Sequence, residues 1–516
     1  MMDWKSWHPK KRELPDRWDA VLIGSGLGAL MCAARLAKAG WRPLVLEQHY
    51  VAGGYAHHFQ RKHKGTKYLF DVALHQTGGL KPGHFMRRVF EELGLLELIE
   101  LVEMDIVHRS IYPGLDVTVP QDLRAYRSLL KEKFPHESEG IDRFIGIMTA
   151  IPKEIARLGM PGLETSGDPS EVAPTAMRLM TSSLEDVFDE TVGDPQLRAL
   201  LAQLWPYLGL PPKECSAIIW AQMWTSYHVG GCFYIRGGGQ ALSNALCRVI
   251  EDGGGAIKLR TLVEKILLDA SGRACGVRTA GGQQFYAPVV VSNASAPATF
   301  TRLLDEQAVP PALREQVLSL PISTSIVQAY VGIDGDAAEL GLPEHEVFVN
   351  VGTDPQAEWE AIQRGEIEKQ SVLLANHSRV NADACPPGKS VVEAAILAMG
   401  EHWIGLPEQE YARKKARVTE FLIDRIAEFI PDVRARIEVI EVGTPKTMQE
   451  YSLNPGGAVY GYANTTSAHT IFRPQQRTPI PGLYLAGAWT FPSAGFGGAM
   501  MSGYTAAELI LADARR

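Results

Sequence analysis

DAVLIGSGLGALMCAARLAKAGWRPLVLE, residues 19–47, decides the fold. Asp19 to Gly24 is a short apolar run ending in glycine, the pattern of a strand buried on both faces. From Gly26 to Ala39, Leu27, Leu30, Met31, Ala34 and Leu36 recur at helical spacing, and Gly40 stops the run. Pro43 to Glu47 is a second apolar strand. Strand, helix and strand in about 30 residues make a parallel crossover unit. Gly24-Ser25-Gly26-Leu27-Gly28-Ala29 fills the first turn. The first glycine permits the turn, the second lets a pyrophosphate approach the backbone, and the small last position lets helix and sheet pack closely. The helix start offers unpaired N–H groups and the positive end of a dipole to the phosphates. Glu47 ends the second strand about 20 residues downstream, where an acid accepts hydrogen bonds from a ribose diol. The unit predicts a dinucleotide site. Gly237-Gly238-Gly239 has no acidic strand after it, so no second, nicotinamide-binding unit is expected.

Working outward, Gly53-Gly54 follows Glu47 closely, a pairing that selects FAD over a nicotinamide dinucleotide. The stretch LEQHYVAGGYAHHF (46–59), with Phe70-Asp71 and His75 beyond it, resembles the retinol saturase and carotenoid isomerase branch of the phytoene-desaturase-like flavoproteins. In that branch histidines stand where His57 and His75 stand here, while Ala73 replaces a usual glycine. Near the end, TPIPGLYLAGAWTFPSAGFGGAMMSGYTAAELI (478–510) resembles the family's closing flavin segment, with Pro492-Ser493-Ala494-Gly495 in place of a usual PGGG. A helix start there stabilises negative charge at the pyrimidine end of a reduced flavin. FYIRGGGQALSNAL (233–246), VVVSNA (289–294) and NPGGAVYGY (454–462) match further family segments.

The resemblance implies a Rossmann-type α/β FAD-binding domain, glutathione-reductase-like as in amine oxidases and phytoene desaturases, interleaved with a mixed α+β substrate domain. Residues 17–100, 235–305 and 440–516 are expected to form the first; 101–234 and 306–439 the second. Residues from about 86 to 235 read as mainly helical, and short strands are expected around 257–259, 263–268, 274–279 and 289–292. For FAD the expected residues are Gly24, Ser25, Gly26, Gly28, Ala29, Glu47, Gln48, Gly53, Gly54, Tyr55, Val263, Gly487, Ala488, Gly497, Gly498, Ala499 and Met500. For catalysis they are His57, His75, Tyr234, Arg236 and Tyr460. A neutral imidazole there would donate a hydrogen bond to the flavin or relay a proton. The implied reaction is saturation or cis–trans isomerisation of a double bond in a long apolar polyene, with desaturation on the same machinery. An amine oxidase shares the nucleotide domain. A prenyl-binding GDP-dissociation inhibitor shares the fold without flavin, but the intact glycine turn and Glu47 argue for the flavin.

Composition narrows the partners. A net charge of −8 does not favour nucleic acid. The six cysteines form no C-x-x-C pair, so neither zinc nor a thiol–disulfide centre is expected, and reduced thiols in a cytoplasmic protein are. His49, His57, His58, His63 and His75 cluster without zinc spacing, so no metal is expected. No run matches a secretory signal or a membrane-spanning helix. Peripheral membrane contact is expected for an enzyme that collects an apolar substrate. Trp4, Trp7, Lys10, Lys11 and Arg12 suit either a headgroup layer or a strap packed on the nucleotide domain.

Overall fold

Ala20–Ile23 and Pro43–Leu46 are fully buried strands flanking the helix Leu27–Lys38. They pair in parallel, Ala20 opposite Pro43 and Ile23 opposite Leu46. The computed structural model describes residues 7–10, 13–159 and 168–515. In it, these strands sit in a five-stranded parallel sheet ordered Ala256–Lys258, Pro43–Leu46, Ala20–Ile23, Val290–Ser292, Leu483–Leu485. A parallel sheet must be covered on both faces. Ala20, Leu22 and Val45 join one core, into which Leu27–Lys38 and the helices Gly238–Asp252 and Gly495–Ala514 pack. Val21, Ile23, Leu44 and Leu46 join the other, under the antiparallel sheet Val263–Leu268, Ala274–Thr279, Gln284–Tyr286. Helices Leu27–Lys38 and Gly495–Ala514 approach so closely that a Cβ on Gly503 would lie 2.0 Å from the Gly28 carbonyl oxygen.

The second sheet has seven strands, ordered Ile437–Gly443, Ser325–Asp334, Lys389–Ala398, Val372–Asn376, Glu346–Val349, Ile106–Tyr112, Leu115–Pro120. All neighbours are antiparallel except Glu346–Val349 with Ile106–Tyr112. Its edge strand Ile437–Gly443 runs through position 440, so no break falls there. Helices Ser138–Leu158, Leu184–Thr191 and Ala217–His228 pack together beside it.

Two stretches differ from the sequence reading. Residues 101–120, taken as part of a helical region, form the strands Leu101–Glu103, Ile106–Tyr112 and Leu115–Pro120. Apolar residues alternate with period two in Leu115–Pro120, at Leu115, Val117 and Val119, and Gly114, at φ 79°, makes the tight turn between the last two strands. Residues 58–71, read as motif alone, form a hairpin turning at Lys64 and Gly65, both at positive φ.

Several histidines are buried away from any carboxylate. Burial pushes His108 down to about 3, and His228 and His469 to about 4. Their folded values lie below the unfolded one, so the unfolded chain binds more protons as pH falls through about 6.5 toward 4. Stability is therefore present above about pH 6.5 and lost below it. The melting temperature is expected to fall by several degrees between pH 7 and pH 5, read by calorimetry or circular dichroism. A flat profile would mean these imidazoles are already charged in the folded protein.

Candidate active site

One cleft of about 1250 Å³ runs between the two sheets. That exceeds the ~300–1,000 Å³ of a single small-molecule pocket, which leaves room for a cofactor and a substrate together. Gly24, Ser25, Gly26, Gly28, Glu47, Gln48, Gly53, Gly54, Tyr55 and Val263 all line it. Gly53 and Gly54 lie at φ 129° and 60°, and a Cβ on Gly53 would sit 2.3 Å from the Ala56 carbonyl oxygen. The glycine pair thus turns tightly and packs on Gly26, with Gly53 N–H donating to the Ser25 carbonyl at 3.1 Å. Gln48 and Tyr55 reach across to 451–458: Gln48 Nε2 donates to the Tyr451 carbonyl at 3.0 Å, and Tyr55 O–H to Ser452 Oγ and the Ala458 carbonyl, each at 3.3 Å.

Glu47 is buried. Its Oε2 accepts from Ser25 N–H at 2.7 Å and Ser25 Oγ at 2.6 Å, and its Oε1 from His49 N–H at 2.7 Å. A carboxylate has about four acceptor positions, so one is left for a ribose hydroxyl. Glu47→Gln removes the charge-assisted part of these bonds, a loss on the order of 1.4 kcal/mol. FAD affinity of the apoprotein is expected to fall about ten-fold in a flavin fluorescence titration. Unchanged affinity would mean that this acid makes no bond to the cofactor.

At the C-terminal segment Gly487, Ala488, Gly497, Gly498 and Ala499 line the same cleft. Met500 and Ala29 do not; both are buried in the core, and Ala29 serves as the small residue where helix meets sheet. Asn293, which the sequence reading passed over, ties the first glycine turn to the C-terminal one. Its Oδ1 accepts from Ala29 N–H at 3.2 Å, and Cβ atoms on Gly26, Gly28 or Gly487 would all fall within 2.6 Å of its side chain. Helices Leu27–Lys38 and Gly495–Ala514 both begin without a side-chain cap and without an acid in the first turn. Gly495 and Gly497 face open space. Two uncapped helix starts in one cleft fit a dinucleotide with a flavin end: N–H groups and dipole for the pyrophosphate at one, for the pyrimidine edge at the other.

Of the expected catalytic residues, His57, His75 and Tyr460 line the cleft; Tyr234 and Arg236 do not. Tyr234 lies in Cys232–Ile235, paired with both Thr77–Gly78 and Leu101–Glu103, and is buried edge-on to His345. Arg236 turns outward and pairs with Glu100 at 2.8 Å. Tyr460 O–H donates to the Pro206 carbonyl at 2.8 Å. Burial lowers His57 to about 4, so its ring is neutral at pH 7. Its Nδ1–H donates to the Gly54 carbonyl at 2.6 Å, leaving Nε2 as an acceptor. Asp71 caps Gly238–Asp252: its carboxylate accepts from Gly239, Leu74 and Ala73 N–H.

His75 opens onto a polar island that the sequence reading missed. Ala375 is registered with Glu346 on one side and Glu393 on the other, so both carboxylates stand in one row across three strands. His75 Nε2 lies 2.7 Å from Glu393 Oε1, and Nδ1 lies 3.3 Å from Glu346 Oε1. His377 Nε2 lies 3.0 Å from Glu393 Oε2, and Gln76 Nε2 donates to Glu346 Oε2 at 2.7 Å. Tyr207 O–H donates to Glu346 Oε1. Burial alone would lower His75, but the charge of Glu393 and the bonds to both carboxylates outweigh it and hold the imidazole well above its ordinary value. Burial would raise Glu393, yet the two histidines hold it well below the carboxylate range. The available signal was a lone acid in the apolar run Val391-Val392-Glu393-Ala394. Around the island the cleft wall is apolar: Trp205, Leu208, Ile219, Met223, Phe348 and Leu373.

The N-terminal residues Trp7 and Lys10 form a strap. Trp7 Nε1 donates to Glu251 Oε2 at 2.9 Å, and Lys10 N–H to Glu251 Oε1 at 3.0 Å. Trp4, Lys11 and Arg12 lie outside the described residues. Among the described residues no helix is long and apolar enough to cross a membrane.

Known proteins share this architecture. The sequence profile of a family described as flavin containing amine oxidoreductase matches residues 30–511. An all-trans-retinol 13,14-reductase of Danio rerio is 29% identical, over 96% of this chain and 86% of its own length. A chloroplastic prolycopene isomerase of Daucus carota is 26% identical, over 96% and 80%. Among solved structures, an oxidoreductase from Methanosarcina mazei superposes with a TM-score of 0.64 at 19% identity, covering 95% of this chain and 99% of that one.

Proposed function

Because the chain belongs to the flavin containing amine oxidoreductase family and carries FAD, we propose that it acts on a carbon–carbon double bond of a long apolar polyene. The observation that carries this reading is the cleft wall beyond the glycine turns. It is largely apolar from Trp205 to Leu373, and the carboxylates of its buried polar island, Glu346 and Glu393, are hydrogen-bonded. An extended hydrocarbon packs against such a wall with few polar groups to satisfy. The names of the relatives point the same way, to retinol and to a carotenoid.

Bound FAD supplies the redox chemistry, exchanging a hydride equivalent with the substrate. The protein's share is to position and to exclude water. The glycine turns and Asn293 hold the cofactor, His57 offers an acceptor beside the Gly53-Gly54 turn, and the apolar wall aligns the polyene. Saturation and cis–trans isomerisation both fit this arrangement. Anaerobic incubation of the reduced flavoprotein with all-trans-retinol and with a cis-carotenoid, read by product mass and chromatography, tests the reading.

A further inference from the structure

The polar island holds one proton more than its groups carry in their separate neutral-pH forms. An ionised carboxylate only accepts hydrogen bonds, and a neutral imidazole has a single N–H. His75 nevertheless faces a carboxylate oxygen with each ring nitrogen, Glu346 Oε1 at 3.3 Å and Glu393 Oε1 at 2.7 Å. Both contacts are hydrogen bonds only if the triad carries an extra proton, as an imidazolium between two carboxylates. The remaining carboxylate oxygens already have donors, Gln76 on Glu346 and His377 on Glu393. His345 bonds to the carbonyl of His75 rather than to its ring.

Tyr207 links the triad to the apolar lobe. Tyr207 donates its hydroxyl to Glu346, stands edge-on to the His75 ring at 6.3 Å, and packs on Tyr227 and Phe348 in the cleft wall. It is also close to the flavin segment in the fold. The neighbouring Pro206 carbonyl accepts from Tyr460, and a Cβ on Gly461 would lie 2.6 Å from the Ala488 carbonyl oxygen. Burial and the Glu346 charge keep the Tyr207 phenol protonated.

We propose that Tyr207 is a proton donor to the substrate and that Glu346, His75 and Glu393 form the store that recharges it. This rests on the reading of the substrate as an alkene. Saturating a double bond adds a hydride equivalent, drawn from the reduced flavin, to one carbon and a proton to the other. The Tyr207 O–H turns from Glu346 to the substrate, and it breaks as that second C–H bond forms. Glu346 then passes the Nδ1 proton of His75 to the phenolate oxygen. Tyr207 is restored and His75 is left neutral, still bonded through Nε2–H to Glu393. One proton is spent per double bond and regained from water before the next cycle. Isomerisation consumes no proton, so this device assigns the reaction to saturation. His75, Glu346 and Glu393 are positioning residues; Tyr207 is the catalytic one.

Two measurements on the full FAD-loaded protein test this. Nitrogen NMR of histidine-labelled protein, with His75 assigned through His75→Gln, is expected to show both ring nitrogens protonated at pH 7.5. Glu393→Gln should leave one bare. A bare nitrogen on His75 in the unaltered protein overturns the store. Separately, Tyr207→Phe is expected to keep its FAD but to slow reoxidation of the reduced flavin by a polyene about 10²–10⁴-fold. In D₂O the unaltered protein should place solvent deuterium on the carbon that receives the Tyr207 proton. Saturation at an unchanged rate in Tyr207→Phe overturns the donor. An unaltered protein that leaves every polyene intact overturns the substrate reading and the donor role with it, while the NMR result still decides the store.

Discussion

Gly28→Val is expected to abolish retention of FAD, weakening binding by more than 100-fold. A Cβ at Gly28 would lie 2.5 Å from the Gly487 nitrogen, 2.6 Å from the Gly487 Cα and 2.6 Å from Asn293 Oδ1. Two of those atoms are backbone, so no rotamer change relieves the contact. Helix Leu27–Lys38 must move away from the turn at Gly487, and the two walls proposed to hold the cofactor part. Overpacking of this kind costs about 1–3 kcal/mol in folding, so the protein should still fold. Loss of absorbance in the flavin bands after gel filtration checks the outcome. Gly146→Ala is the control: it lies inside Ser138–Leu158 with nothing within 4 Å of its added Cβ, and it should stay yellow. A yellow Gly28→Val protein would show that the glycine turn and the C-terminal turn do not jointly hold FAD.

Arg473→Met should be the most destabilising single change near the site. Arg473 is fully buried, and burial lowers it to about 9, which still leaves it charged at pH 7. Its guanidinium donates to the carbonyls of Ala468, Ala488 and Tyr462 and to Asn464 Oδ1, at 2.5–2.9 Å. This one side chain therefore fastens the loop 462–468 to the turn at Ala488. Methionine fills similar space but leaves three buried carbonyls without a donor, each costing about 1–3 kcal/mol. A total loss of about 3–5 kcal/mol is expected in urea denaturation, with weaker FAD retention. Arg473→Lys should recover only part of it, since an ammonium has three donors on one atom and cannot span the fork. Stability within ~0.5 kcal/mol of the unaltered protein would place the anchor of this turn elsewhere.

What the sequence disclosed follows its local physics. The parallel sheet was legible because its strands are short apolar runs punctuated by glycine, and because Gly24, Gly26 and Glu47 fall in one βαβ unit. The C-terminal strand and helix were legible for the same reason. In residues 101–120 only Leu115–Pro120 carries a period-two pattern, and the adjacent apolar pairs Leu101-Val102, Ile106-Val107 and Ile111-Tyr112 give no clear strand signal. Tyr234 and Arg236 were placed by resemblance of their segment, and only the pairing of Cys232–Ile235 with its two neighbours sends their side chains away from the cleft. The Glu346–His75–Glu393 cluster was out of reach. Its members come from distant segments, and they meet because Ala375 sits in register between two acids on adjacent strands. Long-range register of that kind leaves no local periodicity to read.

The most direct test of the whole account is the mass of the product. The FAD-loaded protein, reduced without oxygen and incubated with a panel of polyenes, should return one of them heavier by two hydrogens while its flavin becomes oxidised. Polyenes recovered unchanged in mass and geometry while the flavin stays reduced would contradict the assignment to carbon–carbon double bonds.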